Sequence, residues 1–177
     1  MIYFILISAG VSIGKVYEFQ SVNYKTYSIK NIANGLVYIK PQSEGVKHFK
    51  VVRGLAGSGV SFQLEDNKNM YLRNQGFILK ALPNDNTPLF KNDATFTIEK
   101  GLTGEDGTVS FKSFNYPTRY LRHQNSQLKL HINSKSKLFT LDASWSPKEY
   151  TGIYNPSCIS IWMRQFLAFF SLFSDVF

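Results

Sequence analysis

Apolar and polar residues alternate along most of this chain, in short runs broken by turn residues. In "VSFKSFNYPTRYLRHQNSQLKL", Val109 to Leu130, two alternating runs flank a turn at Tyr116-Pro117, and a third follows. Such runs of five or six residues, bounded by Gly, Asn, Asp and Pro, predict β-strands. No segment between residues 16 and 146 carries a convincing helical period, so the expectation is an all-β fold.

The pattern then repeats. In "YEFQSVNYKTYSIKN", "VSFQLEDNKNMYLRN" and "VSFKSFNYPTRYLRH", Phe19, Phe62 and Phe111 fall in register, as do Ile29, Leu72 and Leu121. Both sets share offsets of 43 and then 49 positions. Phe49, Phe96 and Trp145 mark the ends of the three copies, which span about 16–58, 59–107 and 108–146. Units of this size cannot bury an apolar face alone and must share one core. Three four-stranded units packed around a threefold axis, a β-trefoil, meet that demand with few open edges. A propeller typically needs at least four blades.

The two ends differ from this middle. Residues 1–14, "MIYFILISAGVSIG", read either as a signal peptide, with small residues near Ser12 and Gly14 and hence export from the cell, or as an extra first strand. Residues 147–177 form a C-terminal extension in which Trp162, Phe166, Phe169, Phe170, Phe173 and Phe177 recur at helical spacing. Arg164, Gln165 and Asp175 interrupt it, so 159–177 suits a weak membrane or hydrophobic contact better than a membrane span.

Charge and cysteine content narrow the chemistry. Twenty Lys and Arg against twelve Asp and Glu give +8, a balance that favours anionic partners. The cations are scattered singly, without the runs that mark a nucleic-acid patch, and no nucleic acid is expected. The single cysteine, Cys158, allows no internal disulfide and no Cys-based zinc site, and nothing in the chain calls for a cofactor.

The linked features Ser-Phe, Asn-Tyr-Pro, Tyr-Leu-Arg-His and Asp-Ala-Thr/Ser-aromatic, seen in "VSFKSFNYPTRYLRH" and "PLFKNDATFTIEKGL", resemble the repeat signature of the arabinose-binding β-trefoil domain of α-L-arabinofuranosidase B, carbohydrate-binding module family 42. The resemblance covers Tyr17 to Trp145. It implies a noncatalytic module that holds L-arabinofuranosyl side chains of hemicellulose, with a sugar pocket formed by the His of Arg-His and the Asp of Asp-Ala-Thr/Ser. His123 and Asp142 fill these positions in the third copy, and Asn74 and Asp93 in the second, 19 positions apart in both. Each pair is expected to converge within its own unit. A carboxylate can accept two vicinal hydroxyls, and an imidazole adds a donor or acceptor and a flat edge. Asn74 lacks the ring, so the second pocket should bind more weakly or take another sugar. The first copy has Asn31 and Val46 at these positions and reads as structural.

Tyr71 and Tyr120 read as core or rim packing more than as stacking platforms, with sugar contact at a rim left open, while His48 and His131 match no binding position and read as surface residues. Asp93 and Asp142 could alternatively cap local turns. Two other functions stay open: a basic trefoil adaptor for an anionic partner, and residual arabinofuranosidase activity. Glycoside hydrolysis normally needs a pair of carboxyl groups across the bond. In the resembled enzymes that pair lies in a separate catalytic domain.

Overall fold

The structure, a computed structural model, describes residues 10–31 and 33–152. The aromatic tail expected to touch membranes lies outside the described residues, as does most of the N-terminal segment. Twelve strands follow one another as β1 (Val16–Ser21), β2 (Tyr27–Asn31), β3 (Val37–Pro41), β4 (Phe49–Arg53), β5 (Val60–Leu64), β6 (Met70–Gln75), β7 (Ile78–Pro83), β8 (Phe96–Lys100), β9 (Val109–Ser113), β10 (Arg119–Gln124), β11 (Gln127–Ile132) and β12 (Trp145–Glu149).

All pairings are antiparallel. Strands β1, β4, β5, β8, β9 and β12 close a six-stranded barrel, each bonded to the next and β12 back to β1. Three hairpins, β2–β3, β6–β7 and β10–β11, cap one end and meet through β3–β11, β7–β11 and a Leu36–Lys80 bridge. This is the β-trefoil arrangement, and barrel closure pairs the strand edges that would otherwise invite further strands.

The repeated aromatics explain why the three units need one another. Phe19, Phe62 and Phe111 meet as a triangle with centroid separations of 5.4, 5.1 and 4.8 Å, their rings steeply inclined to one another. Ile29, Leu72 and Leu121 are buried, as are Phe49, Phe96 and Trp145. No unit encloses its own phenylalanine, and truncating one such ring to alanine typically costs about 3–5 kcal/mol. Val11, just before β1, is buried in the same core, with the Tyr17 hydroxyl accepting from Ser12 N–H at 3.0 Å.

One expectation needs correction. Two short helices, α1 (Pro88–Asp93) and α2 (Lys137–Asp142), precede β8 and β12 in a stretch that shows no helical period, and Asp93 and Asp142 are their last residues. Thr87 and Ser136 cap them by accepting from Phe90 and Phe139 N–H at 3.1 and 3.2 Å, and Phe90 and Phe139 anchor them in the interior. At the matching place the first unit has a 3-10 turn, Gln42–Glu44, with no side-chain cap. Ile29 to Phe49 spans 20 positions, against 24 from Leu72 to Phe96 and from Leu121 to Trp145. Those four positions amount to about one helical turn.

Candidate functional site

The site in the third unit forms where the end of α2 faces the end of β10. The side chains of Leu121 and His123 are buried while their strand neighbours are partly exposed, as a strand's alternation dictates. Asp142, at the last position of α2, lies against Arg122 in a buried ion pair and stands 3.5 Å from His123 Nε2. The Arg122 guanidinium also packs 5.2 Å over the Phe139 ring and donates from Nε to His123 O at 3.1 Å.

The constellation is completed from another repeat. Asn23, in the β1–β2 turn, donates from Nδ2 to Asp142 Oδ1 at 2.7 Å, and its Oδ1 lies 2.9 Å from His123 Nε2. Ser21 Oγ donates to the same Oδ1 at 2.8 Å. Because the carboxylate requires the amide nitrogen on its own side, Asn23 presents oxygen to the imidazole, and Nε2 must carry the proton. Burial pushes the His123 pKa below its ordinary 6.5, with Asp142 opposing that shift and Arg122 adding to it. The ring is therefore neutral near pH 7. Tyr24 meets its edge at 5.4 Å between centroids.

These groups open on a cleft of about 370 Å³ lined by Tyr24, Tyr27, Ile39, Arg122, His123, Gln124, Asn125, Ser126, Leu138 and Asp142. Each Asp142 oxygen accepts one of these hydrogen bonds, from Asn23 and from Arg122, and a carboxylate oxygen has two acceptor positions.

The second unit rebuilds the same skeleton. Asp93 accepts from Arg73 Nη2 at 2.6 Å, from Asn115 Nδ2 at 2.7 Å and from Asn74 Nδ2 at 3.4 Å. Asn115 lies in the β9–β10 turn, and Ser113 Oγ donates to its Oδ1 at 3.0 Å, as Ser21 does to Asn23. Asn74 Oδ1, however, is buried without a protein hydrogen-bond partner.

Thus His123 with Asp142, and Asn74 with Asp93, do converge, but neither cluster belongs to a single unit, since Asn23 and Asn115 come from the next one. The turn residues Asn23, Tyr24, Asn115 and Tyr116 were legible as a repeat signature and were missed as part of the pockets. Asp93 and Asp142 are not local turn caps: their carboxylates tie helix, strand and a distant turn together. Tyr120 and Tyr71 both hydrogen-bond within the protein. Tyr120 donates to Glu99 on β8 at 2.7 Å, and burial together with that carboxylate pushes its pKa up to about 12. Tyr71 accepts from Gln63 at 2.8 Å.

In the first unit, Val46 indeed stands without a carboxylate, and Asn31 Oδ1 is buried without a protein partner. A cleft of about 330 Å³ remains there, lined by Val46, Lys47, His48, Glu65, Asp66 and Tyr150. An ion pair from Lys47 to Asp66 crosses it, and His48 stacks on Tyr150 at 3.9 Å instead of standing free on the surface.

Comparison with known proteins agrees with this architecture. Residues 17–146 match the family described as the alpha-L-arabinofuranosidase B (ABFB) domain. Alpha-L-arabinofuranosidase B of Emericella nidulans is 40% identical over 96 residues, covering 51% of this chain and 19% of the relative. A GH54 α-L-arabinofuranosidase soaked with a cyclic sulfate inhibitor superposes with a TM-score of 0.68 at 29% identity, covering 80% of this chain and 32% of that one. An arabinofuranosidase complexed with arabinofuranosyl-alpha-1,2-xylobiose gives 0.66 at 29% identity, covering 78% and 31%. The chain spans about a fifth of the length of the curated relatives it matches. With the match extending over most of its length, the chain belongs to the α-L-arabinofuranosidase B domain family.

Proposed function

We propose that the chain is a noncatalytic module that binds L-arabinofuranosyl groups of hemicellulose or a related glycan, through the Asp142–His123 pocket and a second pocket at Asp93–Asn74. The observation that carries this reading is the preorganised carboxylate of Asp142, fixed by Arg122 and Asn23 on the wall of an open cleft beside a neutral imidazole. It offers acceptors for vicinal hydroxyls, with the Tyr24 ring at its side. Asp142 is the one carboxylate among the lining residues and is already paired with a guanidinium, which suits recognition and not the paired-carboxyl chemistry of hydrolysis. An extracellular setting suits such a module, since its relatives are fungal arabinofuranosidases.

Shallow pockets of this kind bind individually in the millimolar to high micromolar range, about 4–6 kcal/mol, and two on one polymer add avidity. Calorimetric titration with an arabinofuranosyl oligosaccharide at low and high salt tests the reading. Binding that is insensitive to salt and strongly reduced in Asp142→Asn, with the fold intact by circular dichroism, is the expected result. Binding that falls steeply with salt and ignores the substitution would instead mark a cationic surface as the site.

A further inference from the structure

The two pockets differ in what faces the turn tyrosine. In the third unit Tyr24 meets the His123 ring. In the second, Asn74 offers no ring, and Tyr116 meets Phe77 instead, at 5.1 Å between centroids and 73° between planes. Phe77 lies in the turn between β6 and β7, at the position that Ser126 holds in the third unit, and Ser126 lines the third cleft. The Arg119 guanidinium lies 3.8 Å over the Phe77 ring, and the counterpart of Arg119 is Tyr27, which also lines the third cleft.

The turn itself makes Phe77 an odd choice. Gly76 and Phe77 have φ of 61° and 63°, a left-handed pair matched by Asn34–Gly35 and Asn125–Ser126 in the other units. Gly and Asn tolerate this conformation, whereas the Cβ of a bulky residue crowds the adjoining carbonyl. Phe77 nevertheless places a large ring there, 36% exposed to solvent. Backbone strain combined with an exposed aromatic is a combination that function explains better than folding does.

We propose that Phe77, flanked by Tyr116 and Arg119, is a platform beside the Asp93 site that contacts the group attached to an arabinofuranosyl unit, while Asp93 holds the sugar itself. The platform directs that site to arabinofuranosyl ligands whose attached group is planar and apolar. A planar group gains from an aromatic face backed by a guanidinium plane, whereas a small aliphatic group gains little. The inference rests on the reading that Asp93 holds an arabinofuranosyl group.

The test titrates 4-nitrophenyl α-L-arabinofuranoside and methyl α-L-arabinofuranoside into Asp142→Asn protein, in which the third pocket is silenced, with and without Phe77→Asn. The expected result is a higher Tm for Phe77→Asn, aryl-glycoside binding about tenfold weaker and methyl-glycoside binding hardly changed. In Asp93→Asn protein, where only the third pocket remains, Phe77→Asn should leave aryl binding untouched. The inference is overturned if aryl affinity survives Phe77→Asn, if both glycosides and Tm fall together, or if the aryl loss recurs in Asp93→Asn protein. Unmutated protein that binds neither glycoside would overturn the proposed function as well. Binding by the third pocket with a silent Phe77→Asn would overturn this inference alone.

Discussion

The pockets of the second and third units have one skeleton and two different walls. In both, an aspartate at the end of a six-residue helix is clamped by the arginine of the facing strand and by an asparagine from the next unit's turn, with the same 2.7 Å amide contact. The walls then diverge: His123 against Asn74, Ser126 against Phe77, Tyr27 against Arg119. The clamp is what the fold requires to hold a buried charge. The wall is where a pocket can change its ligand without disturbing that charge.

Three measurements would break or sharpen this comparison. The largest effect is expected from Asp142→Ala and Asp93→Ala, each of which strands a buried guanidinium and should cost about 3–5 kcal/mol in urea denaturation. Similar losses would confirm a shared skeleton, and a loss at one site only would refute it. Asp142→Asn removes the same charge but keeps the side chain's shape and one acceptor, so it leaves no void and is the milder variant for binding measurements.

Next in size is Asn74→His, which imports the third wall into the second pocket. It removes an unpaired buried carbonyl and gives Asn115 Oδ1 the ring donor that Asn23 has, for an expected gain of about 1 kcal/mol in thermal or chemical denaturation. A loss would show that the second wall has closed around the smaller side chain.

The smallest effect is a pH dependence confined to the third pocket. Folding holds His123 below 6.5, so the unfolded chain takes up the proton first. This contribution to stability is fully present above 6.5 and is eroded as the pH falls below it. Relative to His123→Asn, the unmutated protein should lose no more than about 0.8 kcal/mol on going to pH 6, measured by denaturation at each pH. An opposite slope would mean that Asp142 dominates the imidazole's surroundings.

Much of this is legible in the sequence. Phe19, Phe62 and Phe111 sit in register because each fills one corner of a shared triangle, and a core of that kind writes its symmetry into the sequence. The 19-position spacing of His123–Asp142 and Asn74–Asp93 was equally legible, since strand and helix of one unit hold each pair. Asn23 was not, because it reaches Asp142 across 119 positions and spacing within a repeat cannot reveal a contact between repeats. Helices α1 and α2 escaped because six residues show less than two turns of periodicity, although Thr87-Pro88 is a start signal. The partner of Tyr120 was not legible either: Tyr120 precedes the inward-facing Leu121 by one position, one step along a strand turns a side chain away from the buried face, and its hydroxyl meets Glu99 of another strand.

The crossing of contacts between units also means that the first unit can lack the helix and Asp of the other two while its turn still serves the third unit's site. That turn carries Ser21, Asn23 and Tyr24. The second unit shows the converse: it keeps Asp93, while its own turn carries Leu64, Asp66 and Asn67 in the places of Ser, Asn and Tyr, and that turn borders the vacated pocket at Val46. What has been kept or discarded together is a pair of half-sites from adjoining repeats. The heritable module of this trefoil is the seam between two repeats, and a repeat cut out and transplanted alone would carry two incomplete halves.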